Sequence, residues 1–474
     1  MHVKQGFLYG FTYRHQESPY FSRLMGVLGK NYLHTVATNV ILKLVFGLVI
    51  GIVTARALGP EGRGEYNLLV LIITTLTTLL NFGIPGSNTY FLASNRLGLE
   101  KLMRGSFLLA IGASLVSLLL LYASYRTGLL AHLFPIEKLT PTILSSLVII
   151  PVAFFNLFAQ GIIIGENKIF LNNYLYLGSQ GMLASTLLLS YVFGMLTVPL
   201  AVILFSVSNF VTFTMIIVAY RSTIFTRYKV GMTWTDYKNL LRFSLPLQAG
   251  VILQFLNYRL DAFLVNAFLG TFSVGIYVLA VNLVEIPWLL SASMASVLFP
   301  TVASNHQQSK KILAKAATAT FAVTLVGGIL AFFLAPYFIV VLFSEKFAAS
   351  VLPFQILLPG IVIFSITNVL ASYMAGVGKP GFNTLIALVA LVFTIVLDIT
   401  LIPRIGIPGA AIASSFSYCV STLFSLILFV RISKLSGREF LDYIISFRND
   451  FRSINARIRT KILAIMPQNL SGKS

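Results

Sequence analysis

Long apolar runs dominate the chain, and short polar breaks separate them. Twelve runs stand out, near residues 36–58, 66–92, 105–125, 141–165, 169–192, 196–220, 243–268, 274–303, 313–343, 351–376, 381–403 and 407–432. A helix needs roughly 20 mostly apolar residues to cross about 30 Å of hydrocarbon. The runs reach that length. Lipid offers the backbone no hydrogen-bond partner, so each run is expected to be a helix. Some breaks are very short. Only Glu166, Asn167 and Lys168 part the fourth run from the fifth, which predicts a tight helical hairpin.

The polar breaks repeat themselves. Leu58, Gly59, Gly64 and Tyr66 spell L-G-x4-G-x-Y, and 211 residues later Leu269, Gly270, Gly275 and Tyr277 spell it again. The same offset carries Gly165, Lys168 and Asn172 onto Gly376, Lys379 and Asn383. Two matches at one offset predict two structural copies. The expectation is an all-α polytopic membrane protein, with two homologous six-helix lobes around a central cavity. Many transporters are built on that plan. Its parts would be a cytoplasmic or interfacial segment (1–35), lobe one (36–221), a cytoplasmic linker (222–242), lobe two (243–432) and a tail (433–474). The glycines of L-G-x4-G-x-Y are expected to make a tight outer turn between the first two spans of each copy.

Composition agrees. Hydrophobic residues make up 57% of the chain and charged residues 10%, with mean hydropathy +0.88. A soluble domain carries about 25% charged residues, so the surface is expected to face lipid. The net charge is +20. It sits between the apolar runs rather than on one face, so nucleic acid is set aside as a partner. With the N-terminus inside, the outer loops hold only Arg56, Arg63, Arg126, Lys138, Lys346 and Arg404 of the 34 Lys and Arg. That asymmetry places both termini in the cytoplasm. No cleavable signal sequence precedes the first run.

In the tail, Phe440, Ile444, Phe447, Phe451, Ile454, Ile458 and Ile462 recur at helical spacing among Arg448, Arg452, Arg457, Arg459 and Lys461. This predicts a basic amphipathic helix on anionic membrane lipids, or a solvated helix packed on the protein's own loops. Cys419 is the one cysteine, which excludes an intrachain disulfide and a cysteine metal cluster. His34 and His132 stand apart from any metal spacing. No metal or other cofactor is expected.

A charge at mid-membrane costs about 2.5–3.5 kcal/mol on insertion scales. Lys43, Arg259, Asp261, Glu285 and Asp398 therefore need a reason to be there. Asn39 and Lys43 lie four residues apart, and Gln248 and Arg259 eleven apart, so each pair shares a helix face. Gln254, Asn257 and Asp261 form a second stripe, and Asn282 and Glu285 are three apart in the next run. Two polar stripes on one helix predict contact with a wet cavity.

For Lys43 and Arg259, with Asn39 and Gln248 beside them, one reading is anion capture, since arginine holds a phosphate bidentately and lysine acts as a point charge. The other readings are that Lys43 snorkels to the surface and that Arg259 pairs with Asp261 or Glu285. For Asp261 and Glu285 one reading is uptake of H⁺ or Na⁺ to power a cycle. The other is a satisfied partner of Arg259. Asp398, one turn before Ile402-Pro403-Arg404, is expected at the interface.

The stretch from Ala55 through Leu58-Gly59-Pro60-Glu61-Gly62-Arg63-Gly64 to Tyr66 resembles the early signature of polysaccharide-biosynthesis flippases of the O-antigen type. These belong to the multidrug/oligosaccharidyl-lipid/polysaccharide exporter superfamily. Asn81-Phe82-Gly83-Ile84-Pro85-Gly86-Ser87-Asn88, the stretch from Asp261 to Tyr277, and Gly376-Val377-Gly378-Lys379-Pro380 are similar to later parts of its pattern. The resemblance covers most of residues 36–432, and its motifs are turn signals.

It implies a rocking bundle in the cytoplasmic membrane of a bacterium or archaeon. The implied cargo is a polyprenyl-diphosphate-linked oligosaccharide, moved from the inner to the outer leaflet by alternating access. Other polysaccharide-assembly proteins are implied partners. By analogy Lys43 and Arg259 would meet the diphosphate or acidic sugars. The lipid II branch has two further helices, and no thirteenth or fourteenth run follows residue 432. Three rivals remain: a MATE-type drug/cation antiporter, which needs cavity carboxylates; a polymerase or glycosyltransferase, which needs catalytic groups on an outer loop; and a membrane scaffold.

Overall fold

The computed structural model describes residues 42–128, 148–224, 231–304 and 306–434. Those residues form helices α1 (Leu42–Leu79), α2 (Ile84–Ala93), α3 (Leu99–Arg126), α4 (Ile149–Gly165), α5 (Ile169–Val192), α6 (Val198–Ala219) and the single turn α7 (Arg221–Ile224). Then follow α8 (Trp234–Leu269), α9 (Thr271–Ser304), α10 (His306–Phe343), a 3₁₀ segment (Glu345–Ser350), α11 (Val351–Gly376), α12 (Gly381–Ile405) and α13 (Ile407–Ser433). Among the described residues there is no strand.

Eight of these helical stretches are long and apolar enough to cross a membrane. α1 counts there once, yet it breaks at Gly59, where φ is 66° and ψ −176°. That backbone region is open to glycine almost alone. α4 is only 17 residues long. α5 and α8 carry polar side chains, among them Asn172 and Asn173 on α5 and Asn257 and Arg259 on α8. Within the described residues, each of the expected runs thus coincides with a helix, a part of one, or two joined pieces.

The second run is the one in two pieces. After α1 the chain turns through Leu80–Gly83, with Phe82 at φ 50° and Gly83 at φ 71°. Asn81 Oδ1 accepts from the Gly83 backbone N at 2.8 Å, and Pro85 then starts α2. The uninterrupted span expected over 66–92 is therefore broken. An Asn side chain offers the backbone an alternative to the helix, and Pro suits the first turn of a new one.

The two copies fold alike. In the first, α1 packs on α5, α2 and α3 on α4, and α4 and α5 on α6. In the second, α8 packs on α12, α9 and α10 on α11, and α11 and α12 on α13. Fine detail repeats too. Gly270 takes φ 79° and ψ 175°, the conformation of Gly59. Asn167 (φ 59°) and Gly378 (φ 77°) make equivalent left-handed turns. Asn172 accepts from Gln160 at 3.1 Å, and Asn383 donates to the carbonyl of Ala371, the offset counterpart of Gln160, at 3.0 Å.

The lobes meet where α1 crosses α9. A Cβ at Gly64 would collide with the Thr271 carbonyl oxygen, and one at Gly275 with the Pro60 carbonyl oxygen. Pro60 and Thr271 are themselves related by the repeat offset, so the crossing is reciprocal about a pseudo-twofold axis. This refines the expectation for L-G-x4-G-x-Y. Its first glycine turns the chain, and its second lets two lobes touch backbone to backbone. One buried apolar cluster runs through both lobes there, including Leu68, Leu69, Tyr277 and Phe354. Away from the crossing, Leu330, Phe333, Leu334 and Tyr337 of α10 stay exposed, as a lipid-facing surface requires.

Candidate functional site

α8 carries most of the polar residues singled out, and it distributes them over different faces. Arg259 reaches Glu285 on α9 with two contacts, Nη1 to Oε1 at 3.2 Å and Nη2 to Oε2 at 3.4 Å. About a third of each side chain stays accessible, 33% and 28% respectively. Asn282, one turn before Glu285, is exposed. Gln254 is half-buried, one turn before Tyr258, whose ring meets Trp288 edge-on at 5.6 Å. This is an open polar face with aromatic walls. A guanidinium held in a two-point pair is oriented but keeps donors free for a further acceptor.

Asp261 turns the other way, into the second lobe. It accepts from Tyr277 Oη at 2.5 Å, Ser414 Oγ at 3.2 Å and the Ala262 backbone N at 2.7 Å. One turn earlier, Asn257 Oδ1 accepts from Thr394 Oγ1 at 3.0 Å and Ser417 Oγ at 3.3 Å. Asp398 of α12 is fully buried beside this network, within electrostatic reach of Asp261. Neither of its carboxylate oxygens has a hydrogen-bond partner among the described residues. Asp398, expected at the interface, is thus enclosed by the lobe rather than exposed. α12 runs on through Pro403 to Ile405, which leaves Asp398 two turns inside the helix on the face turned to the lobe interior.

The remaining candidates separate. Gln248 Nε2 donates to the Thr78 carbonyl at 2.5 Å, with Leu79 O at 3.4 Å. These carbonyls lie in the last turn of α1, where helix ends leave acceptors without an intrahelical partner, and Thr78 O also accepts from Asn81 Nδ2 at 3.0 Å. Gln248 therefore bridges the lobes and does not accompany Arg259. Lys43 stands at the start of α1, its side chain outside the described residues, and Asn39 lies outside them altogether. So do the tail from residue 435 and most of the loop near 126–140.

Sequence reasoning missed Tyr277 and Ser414 as partners of Asp261. Tyr277 lies in the repeated motif, which was a usable signal; Ser414 sits among other small residues and gave none. It also read Arg56 and Arg63 as simple loop cations. Arg63 is buried, donates to the Gly51 carbonyl at 2.7 Å, and lies over the rings of Phe343 and Phe347 at 5.6 and 5.7 Å. Arg56 caps the last carbonyls of α10, at Leu342 (2.8 Å) and Val341 (2.5 Å). Both arginines fasten the first copy to the second at the Gly59 end.

Residues 28–306 match the family model described as "Polysaccharide biosynthesis protein". The chain belongs to that family. It is 26% identical over 224 residues to an uncharacterized membrane protein of Methanocaldococcus jannaschii, a match covering 46% of this chain and 44% of that protein. It is 25% identical over 171 residues to the "Probable low-salt glycan biosynthesis flippase Agl15" of Haloferax volcanii, covering 35% of this chain and 36% of that one. The matches therefore span less than half the length of these relatives.

Among solved structures, a lipid II flippase MurJ in an inward closed conformation superimposes with TM-score 0.71 at 17% identity over 94% of both chains. A multidrug resistance MATE family transporter of the MOP superfamily, facing inward, does so with TM-score 0.64 at 16% identity over 84% of this chain and 96% of that one. Likeness at that identity concerns the fold, which is the expected two-lobed helical bundle of a multi-pass membrane protein.

Proposed function

We propose that this protein is a flippase for a polyprenyl-diphosphate-linked oligosaccharide. It would move that lipid from the cytoplasmic to the outer leaflet of a prokaryotic cytoplasmic membrane by alternating access, with both termini cytoplasmic. The observation that carries the reading is the Arg259–Glu285 pair, about one-third accessible, on an open polar face of the second lobe, in a chain of the polysaccharide biosynthesis family. A diphosphate needs paired donors and a positive charge in a low-dielectric cleft. Arg259 supplies the donors, and Glu285 offsets its charge and orients it until an anion competes for the guanidinium. Lys43 is assigned the same role at the start of α1. The named flippase relative supports the substrate class.

The antiporter reading is weaker on the same observation. A cationic drug needs an uncompensated carboxylate in the cavity, and Glu285 is already paired. Asp261, hydrogen-bonded to Tyr277 and Ser414 and next to the unpartnered Asp398, is the stronger candidate for taking up H⁺ or Na⁺. A buried carboxylate without a partner gains from either.

The test is translocation of a labelled polyprenyl-diphosphate oligosaccharide in proteoliposomes. Wild type is expected to transport it, and Arg259→Ala to lose at least about tenfold, the scale of one charge-assisted contact. Equal rates in the two would remove Arg259 from the substrate path. Transport of a cationic drug but of no lipid-linked glycan would overturn the reading.

A further inference from the structure

A second cluster of charge lies at the other end of the lobe junction, where α2 meets the start of α8. A cavity of about 560 Å³ opens there, with Phe91 and Arg96 on one side and Asp236, Asn239, Arg242 and Phe243 on the other. Local structure fixes both walls. After α2 the chain turns at Asn95, with φ 54°. The backbone N–H groups of Arg96 and Leu97 both donate to the Phe91 carbonyl, at 2.9 and 3.2 Å. Opposite, a capping box starts α8, with Thr233 and Asp236 exchanging side-chain-to-backbone hydrogen bonds at 3.2 and 2.9 Å. The walls touch through aromatic rings. Tyr90 stacks on Phe243 at 4.3 Å, and Phe91 meets the same ring edge-on at 5.8 Å.

The charge in this cavity is unbalanced. Asp236 directs one carboxylate oxygen, Oδ2, to the Thr233 N–H and to Lys101 Nζ at 3.4 Å, and this one acid faces two arginines, so the lining keeps an excess of positive charge. Among the described residues neither Arg96 nor Arg242 has an ion-pair partner. Arg96 lies instead over the Tyr90 ring at 5.3 Å, a contact that leaves its edge donors free. Arg96, Arg242 and Asn239 thus line one space, each with an exposed side chain. Its volume lies within the range of small-ligand pockets, about 300–1,000 Å³. The depth is informative too. Trp234, the first residue of α8, is 81% exposed, and Tyr90 is 36% exposed. Trp and Tyr at helix ends mark headgroup depth.

We propose that this cavity is an anion site for a phosphate-bearing lipid headgroup. By joining Arg96 of the first lobe to Arg242 of the second, the bound headgroup holds this end of the bundle shut. The site is separate from Arg259 and does not depend on the cargo assigned above. Its effect is on the conformational cycle, because the walls must part whenever this end opens.

The experiment uses the full-length protein in detergent and native mass spectrometry. Wild type, Arg96→Gln/Arg242→Gln and the neighbouring exposed control Lys238→Gln are titrated with phosphatidylglycerol and with diacylglycerol, which lacks the phosphate. Wild type and the control are expected to bind phosphatidylglycerol at least tenfold more tightly than diacylglycerol, and the double variant to lose that preference. Equal preference in all three proteins would overturn the site. Glycerol phosphate that displaces phosphatidylglycerol at equal concentration would overturn a lipid as its source.

Spin labels at Ser94→Cys and Thr235→Cys, in a Cys419→Ser background, then report closure. Phosphatidylglycerol is expected to raise the short-distance population in the protein with both arginines and to leave it unchanged without them. Binding with no change in the distance distribution would overturn the clamp.

Discussion

Two positions separate Arg259 from Asp261, and about 200° of helical rotation puts them on different faces of α8. One face is open, and Arg259 meets Glu285 there. The other is closed, and Asp261 meets Tyr277 and Ser414. Asp398 completes the closed side as a buried carboxylate with no hydrogen-bond partner among the described residues. Substitution separates stability from coupling here. Replacing a buried unpaired charge by a neutral isostere is often neutral or stabilising. Asp398→Asn is therefore expected to melt within a few degrees of wild type, or above it, while transport loses its dependence on a H⁺ or Na⁺ gradient. Tyr277→Phe strips Asp261 of a donor and is expected to cost about 1–3 kcal/mol, read as a lower melting temperature in detergent. Unchanged gradient dependence in Asp398→Asn and Asp261→Asn together would sink the coupling role.

At the scale of the element, helix ends decide how the lobes are joined. α8 begins with a capping box, and the Thr233 backbone N–H bond holds the Asp236 carboxyl below its usual value of 3.8, with further help from the Thr233 hydroxyl and Lys101. A depressed folded-state pKa gives stability that is present above the ordinary value and lost as the pH falls through the lower one. The first turn of α8 is therefore expected to fray below about pH 3.8 and to be protected at pH 5. Hydrogen exchange of residues 234–238, corrected for the intrinsic pH effect, measures this. Equal protection at pH 5 and pH 3 would contradict it. At the end of α1, Gln248 reaches the Thr78 and Leu79 carbonyls beside the break in the second run, sharing Thr78 O with Asn81. A polar residue read from its spacing as a cavity neighbour of Arg259 thus serves as a cap for another helix.

At the scale of the molecule, the repeat is the organising fact, because its two copies touch through the same residues. Gly64 and Gly275 allow backbone contact at the crossing of α1 and α9, where a methyl group on either would meet a carbonyl oxygen. Gly64→Ala and Gly275→Ala are each expected to destabilise by about 1–3 kcal/mol, the usual cost of overpacking. Gly47→Ala is expected to be neutral or slightly stabilising, since a Cβ there meets nothing within 4 Å. Thermal melting of the three variants checks this, and a Gly64→Ala protein as stable as Gly47→Ala would refute the crossing. Arg56 and Arg63 reinforce the same end by bonding across the copies and within the crossing helix.

Much of this was legible from the chain alone. The period of the apolar runs set the helices, because lipid leaves the backbone no other partner. A fixed offset between glycine motifs announced two copies. Stripes on α8 gave the expectation of a wet cavity, but the structure parts Gln248 from Arg259 and seats it on the end of α1. What the local pattern left open is what each polar residue meets. Arg259 could have paired with either acid, and only the packing of α9 against α8 chose Glu285. Asp398 was expected at the interface, and only the packing of α12 on its neighbours shows it enclosed beside Asp261. Gly64 read as part of a turn until a second glycine, 211 positions on, was found against it. These contacts join residues far apart in sequence. They depend on how whole helices and lobes dock, and no helical period encodes that.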